Sequence, residues 1–139
     1  MKALEHVAGA SGGAWRLGSW RSAAEVDSWL RRAGWSVRRI DGRNCPDKPA
    51  LLRVLAAELE LPGYFGHNWD ALTDSLRDTV SARGRLAIVV RNANEVGRLS
   101  PDGEILTTLA GIVDDLHGEG VPVKLVACSP IPLVGVAEP

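Results

Sequence analysis

Three carboxylates recur at every fourth position in the segment LPGYFGHNWDALTDSLRD, residues 61–78: Asp70, Asp74 and Asp78. If this segment is helical, the spacing places all three on one face. Like charges one turn apart destabilise a helix by roughly 0.2–0.5 kcal/mol per pair. A row of acid that costs stability indicates a binding role, and carboxylates suit a partner surface rich in Arg, Lys or His.

The three carboxylates differ in how well helix physics alone explains them. Asp70 falls in the first turn of the predicted helix, where the dipole stabilises an acid by about 0.3–1 kcal/mol. Asp74 lies beyond that turn, so the dipole does not explain it, and the alternative to a binding role is an ordinary solvated helix face. Asp78 comes near the helix end, and we assign it to the surface. The cations close enough in sequence to screen these acids are Arg77, Arg83 and Arg85.

An enzymatic site is the alternative use of these residues, because His67, Asp70 and Asp74 fall near one helical face. A metal site usually needs a further ligand and a second shell of hydrogen bonds. The other histidines, His6 and His117, lie in a predicted tail and at the end of another helix. The chain also lacks a GxSxG elbow, an HExxH motif, a Walker loop and a dinucleotide fingerprint. We therefore predict no enzyme, metal or cofactor, and keep a small metal-dependent hydrolase as the alternative.

Composition restricts the class of protein. The chain has 139 residues, 45% of them hydrophobic and 24% charged, as expected for one globular domain with its own core. A formal charge of -1 gives no field to attract nucleic acid. No apolar run is long enough to span a membrane and the start lacks a secretory pattern, so we predict a cytoplasmic protein. In that reducing compartment Cys45 and Cys128 are expected to be free thiols.

Hydrophobic periodicity predicts the scaffold that positions the acids. Strands alternate with helices, which favours an α/β domain with a small parallel sheet and right-handed crossovers. Residues 1–13 lack periodicity and residues 129–139 have spaced prolines, so both are expected to be flexible segments around one domain over 14–128. The predicted elements are a strand over 14–19, a helix from a Ser22 N-cap to Arg32, a strand over 35–41, a helix from an Asp47 N-cap to about Glu60, a helix from an Asn68 N-cap to about Ala82, a strand over 85–90, a helix from a Ser100 N-cap with Pro101 first to Gly118, and a strand over 121–128.

Three aromatic residues surround the turn before the acidic helix. We expect Phe65 and Trp69 to pack in the core. Tyr64 carries a polar tip beside the acids, which suits a protein interface.

The segment from Pro62 to Asp74 follows the pattern P-x-Y-[YF]-G-x-N-x-D-A-L-x-D and resembles the barstar family, intracellular inhibitors of secreted microbial ribonucleases. The resemblance extends more weakly from Trp35 to Cys128. It implies a small parallel β-sheet flanked by helices, which agrees with the periodicity. Residues 1–34 look like an added N-terminal piece that contributes an extra strand and helix.

The resemblance also implies a site. In that family the motif helix and its preceding loop plug the ribonuclease active site, and one carboxylate stands where the scissile phosphate of RNA would lie; that carboxylate corresponds to Asp74. The type inhibitor has tryptophans where this chain has Thr73 and Thr79. The resemblance also places two acidic contacts near the end of the predicted helix that closes at Gly118 and Gly120. Counting back from the closing glycine, these contacts fall on Asp115 and Glu119. The implied partner-binding residues are Tyr64, Gly66, Asn68, Asp70, Thr73, Asp74, Asp115 and Glu119.

The function implied is inhibition of a small secreted guanyl-preferring ribonuclease. The protein would be a monomer that pairs 1:1 with the enzyme and contacts neither nucleic acid nor membrane. The missing tryptophans keep a second interpretation open: a binding module for a different basic protein, without nuclease inhibition.

Overall fold

A computed structural model describes residues 2–18, 23–62, 66–100 and 104–139 of the chain. Its helices and parallel strands confirm the predicted α/β class and the extra N-terminal strand and helix. No helix in these ranges is long and apolar enough to cross a membrane. The elements are α1 (Lys2–Gly9), β1 (Gly13–Leu17), α2 (Ala23–Arg32), β2 (Ser36–Asp41), α3 (Lys48–Glu58), α4 (Trp69–Arg83), β3 (Leu86–Arg91), α5 (Ile105–Gly118) and β4 (Val123–Cys128), with short 3-10 turns at Gly42–Asn44 and Ala93–Glu95.

The four strands run parallel in the order β1-β4-β3-β2. From β2 to β3 to β4 the chain moves one strand at a time in one direction, so right-handed crossovers place α3, α4 and α5 on one face. The step from β1 to β2 crosses the sheet in the opposite direction and places α2 on the other face. The sheet therefore lies between two helical layers.

Two hydrophobic clusters follow this division. The larger joins α3, α4 and α5 to one face of the sheet, and the smaller joins α1 and α2 to the other. Alternate residues of β3 enter different clusters, Ile88 the larger and Val89 the smaller, and both are buried. This is the pattern expected of the predicted central strand, covered on both faces.

Local signals set most element boundaries where the sequence predicts them. Asp47 caps α3, its Oδ1 accepting a hydrogen bond from the Ala50 backbone N–H at 3.0 Å. Gly34 ends α2 and Gly84 ends α4, with φ of 93° and 89°, values that favour glycine. The predicted Ser22 cap lies outside the described residues.

The prediction for the start of α5 is wrong. The helix begins at Ile105 after Glu104, not at a Ser100 cap. Two reasons are visible in the sequence: Gly103 is a poor helix former, and the apolar stripe begins only at Ile105. Pro101 lies outside the described residues.

The expectation that residues 1–13 form a flexible segment does not fit residues 2–9, which form the helix α1. Leu4 and Val7 are 0% exposed and belong to the smaller cluster. Two turns are too few for hydrophobic periodicity to be detected, and so short a helix is stabilised by packing rather than by propensity.

The C-terminal end of α1 rests on a buried lysine of β4. Lys124 is 0% exposed, and its Nζ donates to the backbone carbonyls of Val7 and Ala8, the latter at 3.2 Å. The same ammonium lies 4.2 Å from the centroid of the Trp35 ring. The last carbonyls of a helix lack intrahelical donors and form the negative end of its dipole, so a cation is well placed there. Burial, and secondarily the charge of Arg85, lowers the pKa of Lys124 to about 8.

Residues 129–139 form no helix and contribute only an isolated bridge, but the expectation of a free tail does not fit their contacts. The backbone N–H of Arg16 donates to the Ala137 carbonyl at 2.9 Å, and Ala137 pairs with Trp15 beside β1. Arg16 Nε also lies 2.7 Å from a carboxylate oxygen of Glu138. The tail therefore covers the outer edge of β1, where backbone groups of an edge strand would otherwise lack partners. The domain boundaries proposed above stay a prediction.

The two cysteines are free, as predicted, and both are buried. Burial raises the pKa of the Cys45 and Cys128 thiols to about 11. Neither thiol is a reactive nucleophile near neutral pH, since the thiolate is the reactive form.

Candidate protein-binding site

The start of α4 is held by Asn68, which confirms its prediction as the N-cap. Its Oδ1 accepts from the Ala71 backbone N–H at 2.8 Å, and its Nδ2 donates to the Gly66 carbonyl at 3.3 Å. His67 between them has a φ of 50°. The cap joins the loop to the helix, so the first turn begins at a defined residue. Tyr64 and Phe65 lie outside the described residues.

Burial determines which way the acids of α4 face. Leu72 and Leu76 are 0% exposed and pack in the larger cluster. Asp70, Asp74 and Asp78 are exposed. The acidic row is therefore a solvent-facing stripe of a helix whose other face is anchored in the core, as its spacing predicts.

Arg77 brings two of the predicted site acids together. The Asp74 side chain is 77% exposed, and its Oδ1 lies 3.0 Å from an Arg77 guanidinium nitrogen. The other terminal nitrogen of Arg77 donates to both carboxylate oxygens of Glu119, at 2.9 and 3.0 Å. One guanidinium thus joins α4 to the residue that follows α5.

The structure shows which of the three candidate arginines, Arg77, Arg83 and Arg85, pairs with an acid of α4. Arg77 pairs with Asp74 rather than Asp78. Arg83 lies 3.1 Å from Glu60, and Arg85 donates to the Ala33 carbonyl and lies over the Trp35 ring. In the described part of the chain, neither Arg83 nor Arg85 forms an ion pair with an acid of α4.

The end of α5 supplies the remaining predicted acids. Glu119 is the C-cap, its N–H donating to the Asp115 carbonyl at 3.1 Å, and both side chains are exposed. Asp115 lies one turn before Glu119, so the two belong to the same side of the helix end. The adjacent Asp114 has a structural role, because its Oδ1 accepts from the Ala14 N–H of β1 at 2.9 Å.

Thr73 and Thr79 direct their hydroxyls into their own helix. Thr73 Oγ1 donates to the Trp69 carbonyl at 2.9 Å, and Thr79 Oγ1 to the Ser75 carbonyl at 2.8 Å. Both side chains are half-buried. Neither threonine provides the broad aromatic surface that the family resemblance leads one to expect at these positions.

A basic cleft of about 400 Å³ lies beside the start of α4. Trp69 is half-buried against the larger cluster, as predicted, and the Lys48 ammonium lies 5.4 Å from its ring centroid. The cleft is lined by Lys48, Pro49, Leu52, Arg53 and His67.

The hydrolase alternative gains no support from geometry. Within the described ranges, no three His, Cys, Asp or Glu side chains come close enough to hold a metal ion. His67, Asp70 and Asp74 form no such group.

Residues 35–128 match the family model for Barstar, described as barnase inhibitor. The chain belongs to the barstar family. The match begins just before β2, ends with β4, and includes the whole of α4 and α5. The family is one of protein inhibitors, and its partner in general is a ribonuclease. The elements α1, β1 and α2 lie outside the matched residues, and a comparison with curated proteins finds no match.

Proposed function

We propose that this barstar-family protein inhibits a small secreted guanyl-preferring ribonuclease by covering its active site with an acidic surface made of Asp70, Asp74, Asp115 and Glu119. The observation that carries the proposal is Asp74: a largely exposed carboxylate on a helix anchored in the core, within a chain of the barnase-inhibitor family.

The chemistry of a ribonuclease cleft explains why a carboxylate fits it. Such a cleft binds phosphate with Arg, Lys and His, and these groups form strong charge-assisted hydrogen bonds with any well-placed anion. Asp74 uses Oδ1 for Arg77, and its Oδ2 makes no hydrogen bond within the described part of the chain. A partner cation therefore finds one acceptor oxygen available, where the scissile phosphate would lie.

The other acids contribute mainly by steering. With a net charge of only -1 on the whole chain, attraction to a basic enzyme depends on where the acids are concentrated. Exposed acids at a binding surface raise the association rate, and salt screens that effect. Gly66 and Asn68 shape the loop beside α4, and the family resemblance adds Tyr64, four residues before Asn68 in the sequence, to the partner-binding set.

The test is inhibition of a panel of purified guanyl-preferring ribonucleases. The wild-type protein should abolish RNA cleavage at near-stoichiometric amounts for at least one enzyme, forming a 1:1 complex. Asp74→Ala should weaken that complex by at least about 2 kcal/mol, or about 30-fold, as expected for an interface hot spot.

Asp78→Ala is the matched control, because it removes the same charge from the same helix at an exposed position. We expect it to change affinity far less than Asp74→Ala. Absence of inhibition across the panel, or equal losses in the two variants, contradicts the proposal.

A second candidate function is binding of a different basic protein without nuclease inhibition. The half-buried threonines at 73 and 79 favour it, because they remove contact area from the helix that would meet a ribonuclease. Affinity capture from the native cells, with Asp74→Ala as the bait control, distinguishes the two. Recovery of a non-nuclease basic protein by the wild-type bait alone, together with a negative ribonuclease panel, supports this second function.

A further inference from the structure

We infer that Arg77 is a positioning residue that holds the Asp74 carboxylate ready for the partner, and that Glu119 acts through Arg77. This inference rests on the proposed function. It gives Glu119 a second role, in addition to its place on the acidic surface that steers the partner.

The hydrogen bonds of Arg77 connect the end of α5 to Asp74 on the exposed face of α4. Glu119 accepts with both carboxylate oxygens from one terminal nitrogen of Arg77, and the other terminal nitrogen donates to Asp74 Oδ1. The backbone of Glu119 is fixed in turn as the C-cap of α5, whose preceding stripe is buried. The guanidinium is therefore held mainly from α5, and it restrains Asp74 on α4.

Neither stability nor charge accounts for an arginine at this position. The side chains of Asp74, Arg77 and Glu119 are 77%, 41% and 49% exposed, and ion pairs this exposed contribute little to folding. A positive charge among acids also reduces the attraction of a basic partner. Restraint of Asp74 offers a reason: an exposed side chain loses rotamer freedom on binding, and holding it in advance removes part of that cost.

For the affinity of Arg77→Ala, the inference predicts the opposite of what the change in net charge alone predicts. Arg77→Ala makes the surface more acidic, so the association rate with a ribonuclease should stay equal or rise at low salt. The dissociation rate should nevertheless rise about threefold to tenfold, so that binding weakens, because Asp74 is no longer held.

Three variants identify the mechanism in the same binding measurement. Glu119→Ala should raise the dissociation rate similarly, and the double variant should be no worse than either single one, since both break one chain of contacts. Arg77→Lys should recover only part of the effect, because an ammonium lacks the fork that reaches two carboxylates. Arg83→Ala is the matched control: it removes the same charge from the same helix, and its partner is Glu60.

A second measurement uses the free protein and does not depend on any partner. Three-bond couplings to the Asp74 β-protons should show one dominant χ1 rotamer in the wild type and in Arg83→Ala, and rotamer averaging in Arg77→Ala and Glu119→Ala. Averaging in the wild type overturns the inference, as does tighter binding by Arg77→Ala. If the ribonuclease panel is negative, the proposed function fails, and these couplings still decide whether Arg77 positions Asp74.

Discussion

The two faces of the sheet each carry a cation held by oxygen atoms, and the two cations are held in opposite ways. Lys124, under α1, is 0% exposed and bonds backbone carbonyls. Arg77, on α4, is 41% exposed and bonds the carboxylates of Asp74 and Glu119. A buried charge is expensive unless every contact is made, whereas an exposed pair is nearly neutral for folding. The N-terminal layer therefore uses its cation for structure, and α4 has one that is available for function.

The largest expected effect is the loss of stability in Lys124→Ala. The substitution leaves a cavity between α1 and the sheet and removes the donor for the carbonyls of Val7 and Ala8. We expect the free energy of unfolding to fall by about 2–4 kcal/mol, measured by urea denaturation at pH 7.

Lys124→Met separates volume from hydrogen bonding, because it retains most of the side chain but no donor. It should lose less stability than Lys124→Ala. An alanine variant as stable as the wild type would break the contrast between the two faces.

The pH dependence of stability sharpens the same contrast. Burial lowers the pKa of Lys124 to about 8 in the folded protein, from the ordinary lysine value of 10.5, so folding releases a proton between these pH values. The unfolded chain then binds more protons, and stability contributed by this group rises with pH from about 8 to about 10.5. Below pH 8 the charged ammonium is buried at its full cost.

The measurement is the unfolding free energy of the wild type minus that of Lys124→Met, from pH 7 to pH 10.5. This difference removes the titration of the cysteines and other shared groups. It should grow as pH rises, and a flat or falling difference would contradict the assigned pKa direction.

A smaller effect distinguishes two adjacent acids of α5. Asp114→Ala leaves the Ala14 N–H of β1 without its acceptor and should cost about 1–2 kcal/mol of unfolding free energy. Asp114→Asn keeps an acceptor oxygen and should cost less. Asp115→Ala should leave stability unchanged, because that side chain is exposed and, in the described part of the chain, accepts no hydrogen bond like that of Asp114. Equal losses at 114 and 115 would show that Asp115 is not reserved for a partner.

The smallest expected effect on stability is that of Arg77→Ala. Because all three members of its ion-pair group are substantially exposed, the unfolding free energy should change by less than about 1 kcal/mol. Urea denaturation of Arg77→Ala and Lys124→Ala under the same conditions tests whether the loss is larger for Lys124. A larger loss for Arg77→Ala would make Arg77 a structural residue and remove the distinction.

Much of the matched part of the fold could be predicted because its signals are local. Asp47 and Asn68 are caps whose bonds lie within three residues, and β3 is apolar from Leu86 to Val90. The acidic stripe of α4 follows directly from its spacing once Leu72 and Leu76 are placed in the core.

The rest depended on contacts between distant residues. Lys124 in an otherwise apolar strand has no local explanation, because its acceptors belong to α1, more than a hundred residues earlier. Several acids lie near Arg77 in sequence, so local spacing does not show which one it pairs with. It pairs with Asp74 and also with Glu119, which lies 42 residues away. The helix α1 has only two turns, too few for a hydrophobic periodicity to be recognised in the sequence. Its stability comes from packing in the smaller cluster.

The position of β1 has a consequence for synthesis on the ribosome. Both neighbours of this strand, β4 and Ala137, come late in the chain, and the Arg16–Glu138 pair joins residues 122 positions apart. Contacts this distant in sequence slow folding, because the loop between them must be closed first. β1 therefore leaves the ribosome before either of its pairing neighbours, and its pairing is completed only after both have been made. Until β4 emerges, the smaller cluster lacks its β4 residues Val126 and Cys128, and this incomplete cluster exposes the nascent chain to aggregation and to chaperones.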